Sequence, residues 1–353
     1  MAERIHALDG LRGWAALLVM LLHVYLQILP PDGIEHLKLE LWWPLTGKFA
    51  VAVFFLVTGF SLSVGFLNTG NAALVVRMVF GRYFRLIIPV FATCALTSAF
   101  MNAGLFMPVD ARPDMMGDYY SFEPTLAHLV RFALFDVIFD YSTAQSYAPP
   151  LWVISFEFFG SLIIAAMLLG VGDPARRPAM YLAALIGLYL YHPWFALFVL
   201  GIVSVRLRDV LKQHATPAAG GYLMVLGCTL SVLFGENPYT LSLAAFLFFL
   251  GAFQLPVALA FFSNRASRAL GEISYPLYLL HVPVSFVVGL PIYVAANGDP
   301  WLQMAAAGLA AFASLVAAVI SIPVNTAAMS ASRWVGKRAA ALILRPAPAT
   351  GSS

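Results

Sequence analysis

Hydrophobic residues along this chain fall in long runs, neither alternating as in a half-buried strand nor confined to one stripe as in a surface helix. Cut at polar or Pro/Gly breaks, the runs cover residues 11–30, 45–66, 84–106, 148–170, 179–191, 193–205, 219–235, 240–262, 271–293 and 301–324. A helix rises about 1.5 Å per residue, so most of these runs match a hydrocarbon layer about 30 Å thick. The pattern predicts an all-α integral membrane protein, a polytopic bundle of about ten transmembrane helices. It forms one membrane domain over residues 1–325, and residues 326–353 read as a short basic cytoplasmic tail, disordered at its end. A membrane β-barrel would need segments of about ten residues with alternating polarity, and no such segments occur.

Composition agrees: 61% of the 353 residues are hydrophobic and 10% charged, against about 25% charged in a soluble domain. Charge also decides topology. Residues 179–205 read either as one long tilted helix or as two short helices meeting at "YHPW". Two helices put sixteen of the twenty Lys and Arg residues, from Arg4 to Arg345, on the side of the N-terminus and leave Lys38, Lys48, Arg112 and Arg131 on the other. A single helix would leave seven there. The positive-inside rule favours the pair, with both termini cytoplasmic. The start "MAERIHALDG" precedes an apolar run longer than a signal-peptide core and without a cleavage pattern, so the first span is expected to be retained.

The connection 107–147 is then external and carries Asp110, Asp114, Asp118, Glu123, Asp136 and Asp140. A loop of that length either lines a binding site or is a solvated connection with one interfacial helix around "TLAHLVRFALFD". Cys94 and Cys228 sit in apolar runs and read as small hydrophobes. The basic residues are scattered along loops, so no nucleic acid is implied as a partner.

Ionisable groups inside the runs carry the functional signal. His23 lies eleven residues after Arg12, which at 100° per residue puts both on one helix face, with Asp9 about 40° from that stripe. Glu157, in "LWVISFE", and His281, in "ISYPLYLLHVPV", are intramembrane as well. Three such groups are costly unless they meet each other, water or a substrate, so a shared polar cavity is expected, with a structural polar network as the plainer alternative. Tyr278, three residues before His281, could line the same cavity. Arg82 and Arg85 stand one turn apart at the start of the third run, where guanidinium groups either fork onto phosphate or simply anchor the helix. His23, Glu157 and His281 lack metal-ligand spacing, so no metal site is expected.

These segments, taken in order, resemble the acyltransferase 3 family of integral membrane O-acyltransferases over essentially the whole chain: "LDGLRGWAALLVMLLH", "FFLVTGFSLS", "RYFR", "LWVISFE" and "ISYPLYLLHVPV". Thr58 stands where the family usually has serine, and "SFEFF" varies the usual surroundings of its glutamate. Unlike in the family's two-domain members, with their C-terminal soluble esterase-like domain, transfer here is expected to finish within the membrane unit or to use a separate partner. The resemblance implies acyl-coenzyme A, typically acetyl-CoA, as a donor substrate and not a permanently bound cofactor. The acceptor would be a carbohydrate or glycolipid hydroxyl, and the location a bacterial inner membrane. It also makes Arg82 and Arg85 expected contacts with donor phosphates, and Arg12 and His23 expected to carry chemistry.

A sugar hydroxyl is a weak nucleophile at neutral pH, and an imidazole suits the role of base. His23 is therefore expected to take the acceptor proton or to carry the acyl group, with Arg12 orienting it or binding the donor. Glu157 joins the catalytic set, and Asp9, Tyr278 and His281 the substrate-binding set. The rival is a proton-coupled transporter that relays protons through His23, Glu157 and His281; a scaffold would need none of them.

Overall fold

The computed structural model describes residues 6–30, 47–112, 118–214, 216–235 and 237–344. Arg4, Lys38 and Arg345 of the charge count, Asp114 of the acidic loop, and the tail beyond 344 lie outside them. Among the described residues there are helices, turns and loops and no strands.

The helices are α1 (His6–Leu22), α2 (Gly47–Thr69), α3 (Ala72–Asn102), α4 (Trp152–Ala166), α5 (Pro178–Tyr191), α6 (Pro193–His214), α7 (Pro217–Phe234), α8 (Pro238–Gln254), α9 (Pro256–Ser263), α10 (Arg265–Val284), α11 (Pro300–Ile320) and α12 (Ile322–Ile343). Within the described residues every predicted run falls mainly on helix. By length and composition, however, seven helices could cross a membrane, or eight if a bent pair is one span, fewer than the ten runs. At 14 residues α5 is too short, and the second half of α6, "RLRDVLKQH", is charged. The expected break between them is present: His192 is extended at φ −162°, ψ 114°, the conformation that a following proline favours.

The run 240–262, read as a single span, is two helices meeting at 92°. Pro256 lacks the N–H for the helical ladder and pushes Leu255 out of the α region, to φ −93°, ψ 110°. Residues after 325, read as a tail, continue helix α12 and pack against α3. A Cβ on Gly81 would lie 2.6 Å from Ser332 O, and one on Gly336 would lie 2.3 Å from Arg77 O, so glycine at both places lets the backbones touch. Because the higher-numbered residue of α3 meets the lower-numbered residue of α12, the two run antiparallel.

α2 is buried on most of its circumference and packs against α1, α3, α4, α6 and α8. Phe55 and Phe60 anchor this core, Phe55 with its ring 4.7 Å from that of Phe198. A second cluster, with Met20, Val24, Leu277 and Phe286, joins α1, α10 and α11. There a Cβ on Gly13 would sit 2.5 Å from Gly271 N, so α1 and α10 are in backbone contact. His23 and His281 each lie ten residues beyond these glycines. In parallel neighbours an equal count brings both to one level.

Candidate active site

His23 and His281 meet. His23 Nδ1 is 2.7 Å from His281 Nε2, and the rings stack at 4.9 Å and 15°. The remaining nitrogen of His281, Nδ1, lies 3.0 Å from Leu277 O. A carbonyl can only accept, so His281 Nδ1 carries the proton and donates it there. In the neutral pair His281 Nε2 is then an acceptor, and His23 Nδ1 donates to it. His23 is left with its lone pair on Nε2. This is the logic by which a second group fixes an imidazole's tautomer and aim.

His23 lines a cavity of about 490 Å3 with Gln27, Tyr119, Thr143, Pro150, Trp152 and Phe286 among its neighbours. Two π-helical turns shape it, His23–Ile28 after α1 and Ser285–Gly289 after α10; such turns are frequent at functional sites. The long connection between α3 and α4 supplies Tyr119 and Thr143. Arg112 ties that connection down: its Nε donates to Met107 O at 2.7 Å, its Nη1 to Tyr119 O at 2.5 Å, and its guanidinium lies 5.5 Å from the Phe286 ring centre. The connection also holds the expected helix, Leu126–Arg131, capped by Thr125 Oγ1 accepting from His128 N at 3.2 Å. The connection thus both lines a cavity and carries a short helix, although among the described residues its acidic side chains stay out of the cavity lining.

A second cavity, of about 570 Å3, opens toward the opposite end of the bundle. Among the described residues six basic side chains line it, Arg12, Arg77, Arg82, Arg85, Arg333 and Lys337, against one carboxylate, Glu157. Glu157 is buried and paired with Arg82. It also accepts from Thr58 Oγ1 at 2.9 Å, so threonine supplies the hydroxyl that serine would. Arg82 Nε is buried without a hydrogen-bond partner among the described residues, a donor that an anion in the cavity could satisfy. Arg85 Nη1 donates to Asn325 Oδ1 at 2.7 Å, and its guanidinium stacks 5.2 Å from the Tyr275 ring centre.

The expected single polar cavity is thus two. Tyr278 stands between them: it lines the cationic cavity, and its hydroxyl donates to the carbonyl of Pro150, which lines the other, at 2.7 Å. Phe54, 6.2 Å from Tyr278 ring to ring, thickens this wall. Arg12 shares a cavity with Arg82, Arg85 and Glu157, away from His23. Glu157, expected in the catalytic set, is paired with Arg82 in the cationic cavity and does not line the cavity of His23. His281, expected to hold an acceptor, is fully buried behind His23 and lines neither cavity, and neither does Asp9. Arg77, Asn325, Arg333 and Lys337 were not singled out from sequence. The signal was there in "SRWVGKR", which places Arg333 and Lys337 one helical turn apart. Among the described residues no group of three or more His, Cys, Asp or Glu gathers as a metal site.

A family profile described as an acyltransferase domain, that of the acyltransferase 3 family, matches residues 5–322. Comparison with curated proteins and with solved structures finds no match.

Proposed function

The chain belongs to the acyltransferase 3 family, and from that premise we propose that it is a membrane O-acyltransferase whose two cavities divide the labour. The cationic cavity takes an acyl-coenzyme A, acetyl-CoA in the simplest case, and the histidine cavity takes a hydroxyl of a cell-surface carbohydrate or glycolipid. Charge supports the first assignment, because arginine forks match phosphate oxygens. The second rests on neutral polar groups and on the rings of Tyr119, Trp152 and Phe286, which suit a sugar's hydroxyls and apolar faces. Basic residues at the cationic end would make that end cytoplasmic, and a surface acceptor would place the protein in a bacterial inner membrane.

The observation that carries this reading is the histidine pair. His23 Nε2 removes the proton of the acceptor hydroxyl as its oxygen attacks the thioester carbonyl. The C–O bond forms, the C–S bond breaks, and the proton passes from His23 to the departing thiolate to give free coenzyme A. His281 holds the imidazole in the required tautomer. Arg12, on the same helix as His23 and within the donor cavity, draws the donor toward α1.

The wall at Tyr278 favours a second reading of the same step. An acyl group accepted by His23 Nε2 from one side and released to a hydroxyl on the other would need no encounter of donor and acceptor in one chamber. Purified protein given acetyl-CoA without acceptor, quenched and analysed by peptide mass spectrometry, separates the two. An acetylated His23 supports the carrier; its absence with full turnover on acceptor addition supports the base. A proton-coupled transporter would instead move substrate without releasing thiol from any thioester.

A further inference from the structure

The family match ends at residue 322, where α12 begins, yet the donor cavity is lined by Met329, Ser332, Arg333 and Lys337 of that helix. We infer that α12 completes a phosphate-binding mouth on this cavity, in which Arg333 and Lys337, with Arg77 of α3, hold the nucleotide end of the donor and read its 3′-phosphate. The inference rests on the acyl-coenzyme A reading above and deepens it.

Three observations carry it. The deep arginines already have charged or amide side-chain partners, Arg82 on Glu157 and Arg85 on Asn325, whereas Arg77, Arg333 and Lys337 are exposed cations at the rim, Arg333 donating to the neutral Ser330 Oγ at 3.3 Å, and among the described residues no carboxylate but Glu157 lines the cavity. The rim is also built. The backbone contact of Gly336 with Arg77 O, and of Gly81 with Ser332, fixes the register that brings the cations of the two helices together. Arg333 and Lys337 lie at i and i+4, a like-charge spacing that destabilises a helix unless an anion bridges it. The helix also divides its basic residues by face: Arg338 lies over the exposed Trp334 ring, 4.3 Å from its centre, and lines neither cavity.

Coenzyme A carries a pyrophosphate and a separate 3′-phosphate at one end of a long arm that bears the thioester at the other. Phosphates held at the rim leave the arm to run past Leu62, Thr58 and Ile154 toward the Tyr278 wall. A lipid headgroup offers the same phosphate chemistry, so the experiment must tell the two apart.

The test uses the full chain in nanodiscs of zwitterionic lipid, measuring affinity for coenzyme A and for 3′-dephospho-coenzyme A by calorimetry. Wild type is expected to prefer coenzyme A by roughly 10-fold or more, and the Arg333→Ser, Lys337→Ser double variant to bind both within about two-fold of each other, as loss of charge-assisted contacts implies. Lys337→Arg, which keeps the charge, and Arg338→Ser, on the other face, are expected to retain the preference, which separates a lost contact from a damaged helix. A double variant that still prefers coenzyme A overturns the inference and leaves the donor reading standing. Wild type that binds neither nucleotide overturns the donor reading, and this inference with it. A double variant that changes only the retention of anionic lipid, followed by mass spectrometry in discs doped with it, assigns the rim to the membrane and overturns the inference.

Discussion

The two cavities hold their polar groups in different ways. In the cationic cavity the charged groups sit at the ends of long side chains from α1, α3, α4 and α12, and the deep ones are paired, Arg82 with Glu157, which also accepts from Thr58, and Arg85 with Asn325. In the histidine cavity His23 is one imidazole away from a main-chain carbonyl, through His281 to Leu277 O. The exposed cations at its rim, Arg77, Arg333 and Lys337, can take up and give up a phosphate at small cost while the buried Arg82–Glu157 pair stays intact, which suits capture and release. A ring locked by backbone cannot wander, which suits a proton transfer that depends on geometry. The same bundle thus builds an adaptable cationic region and a rigid imidazole region, separated by Tyr278, as the proposed division of labour requires.

If that division is right, damage on the histidine side lowers turnover, and damage on the cationic side raises the donor concentration required. The largest effect is expected from His23→Ala, which should lower kcat for thiol release by roughly 100-fold to 10,000-fold with donor affinity unchanged; near-normal turnover would remove His23 from the mechanism. His281→Ala leaves His23 present without its orienting partner and is expected to cost roughly 10-fold to 100-fold in kcat, again with donor affinity intact by calorimetry.

Arg82→Ala should act the other way. It strands the buried Glu157 with Thr58 alone, destabilising the fold by about 3 kcal/mol in a thermal or denaturant unfolding assay, and weakens donor binding. Arg82→Met combined with Glu157→Leu sharpens the comparison: stability should recover because no charge is left unpaired, while donor binding stays weak. Gly336→Leu, which must push α12 off Arg77, is expected to raise the donor KM about 10-fold with little change in kcat. The smallest effect should come from Tyr278→Phe, which removes one hydrogen bond from the wall, worth about 1 kcal/mol; a change beyond a few-fold in turnover would show that Tyr278 does more than close the partition.

Much of the architecture was legible from residue pattern, because lipid demands helices and long apolar runs announce them. The pairing of α5 with α6 was readable from the balance of Lys and Arg, His23, Glu157 and His281 stood out as ionisable groups on apolar segments, and Arg12, Arg82 and Arg85 as arginines at the starts of runs. Other features depended on which helices touch. Nothing in α1 alone says that His23 will face His281; that follows from the Gly13 and Gly271 contact between segments about 260 residues apart. The bend at Leu255 had a local signal in Pro256, hidden by the uniform hydropathy on both sides. Helix α12 was missed because polar and basic residues lower its hydropathy to that of a tail, although Gly336 and the spacing of Arg333 and Lys337 suit a helix laid against another helix. The division into two cavities was beyond a one-dimensional reading, since Tyr278 becomes a wall only when its hydroxyl finds Pro150 across the bundle.

The most direct test of the division is sidedness. Protein reconstituted in one orientation in sealed vesicles would receive acetyl-CoA on one face and a glycan acceptor on the other, with thiol release followed over time. Transfer is expected only when the donor is supplied at the face carrying Arg77, Arg333 and Lys337 and the acceptor at the face of the long α3–α4 connection. Transfer with donor and acceptor both confined to a single face would contradict the division of donor and acceptor between two cavities on either side of Tyr278.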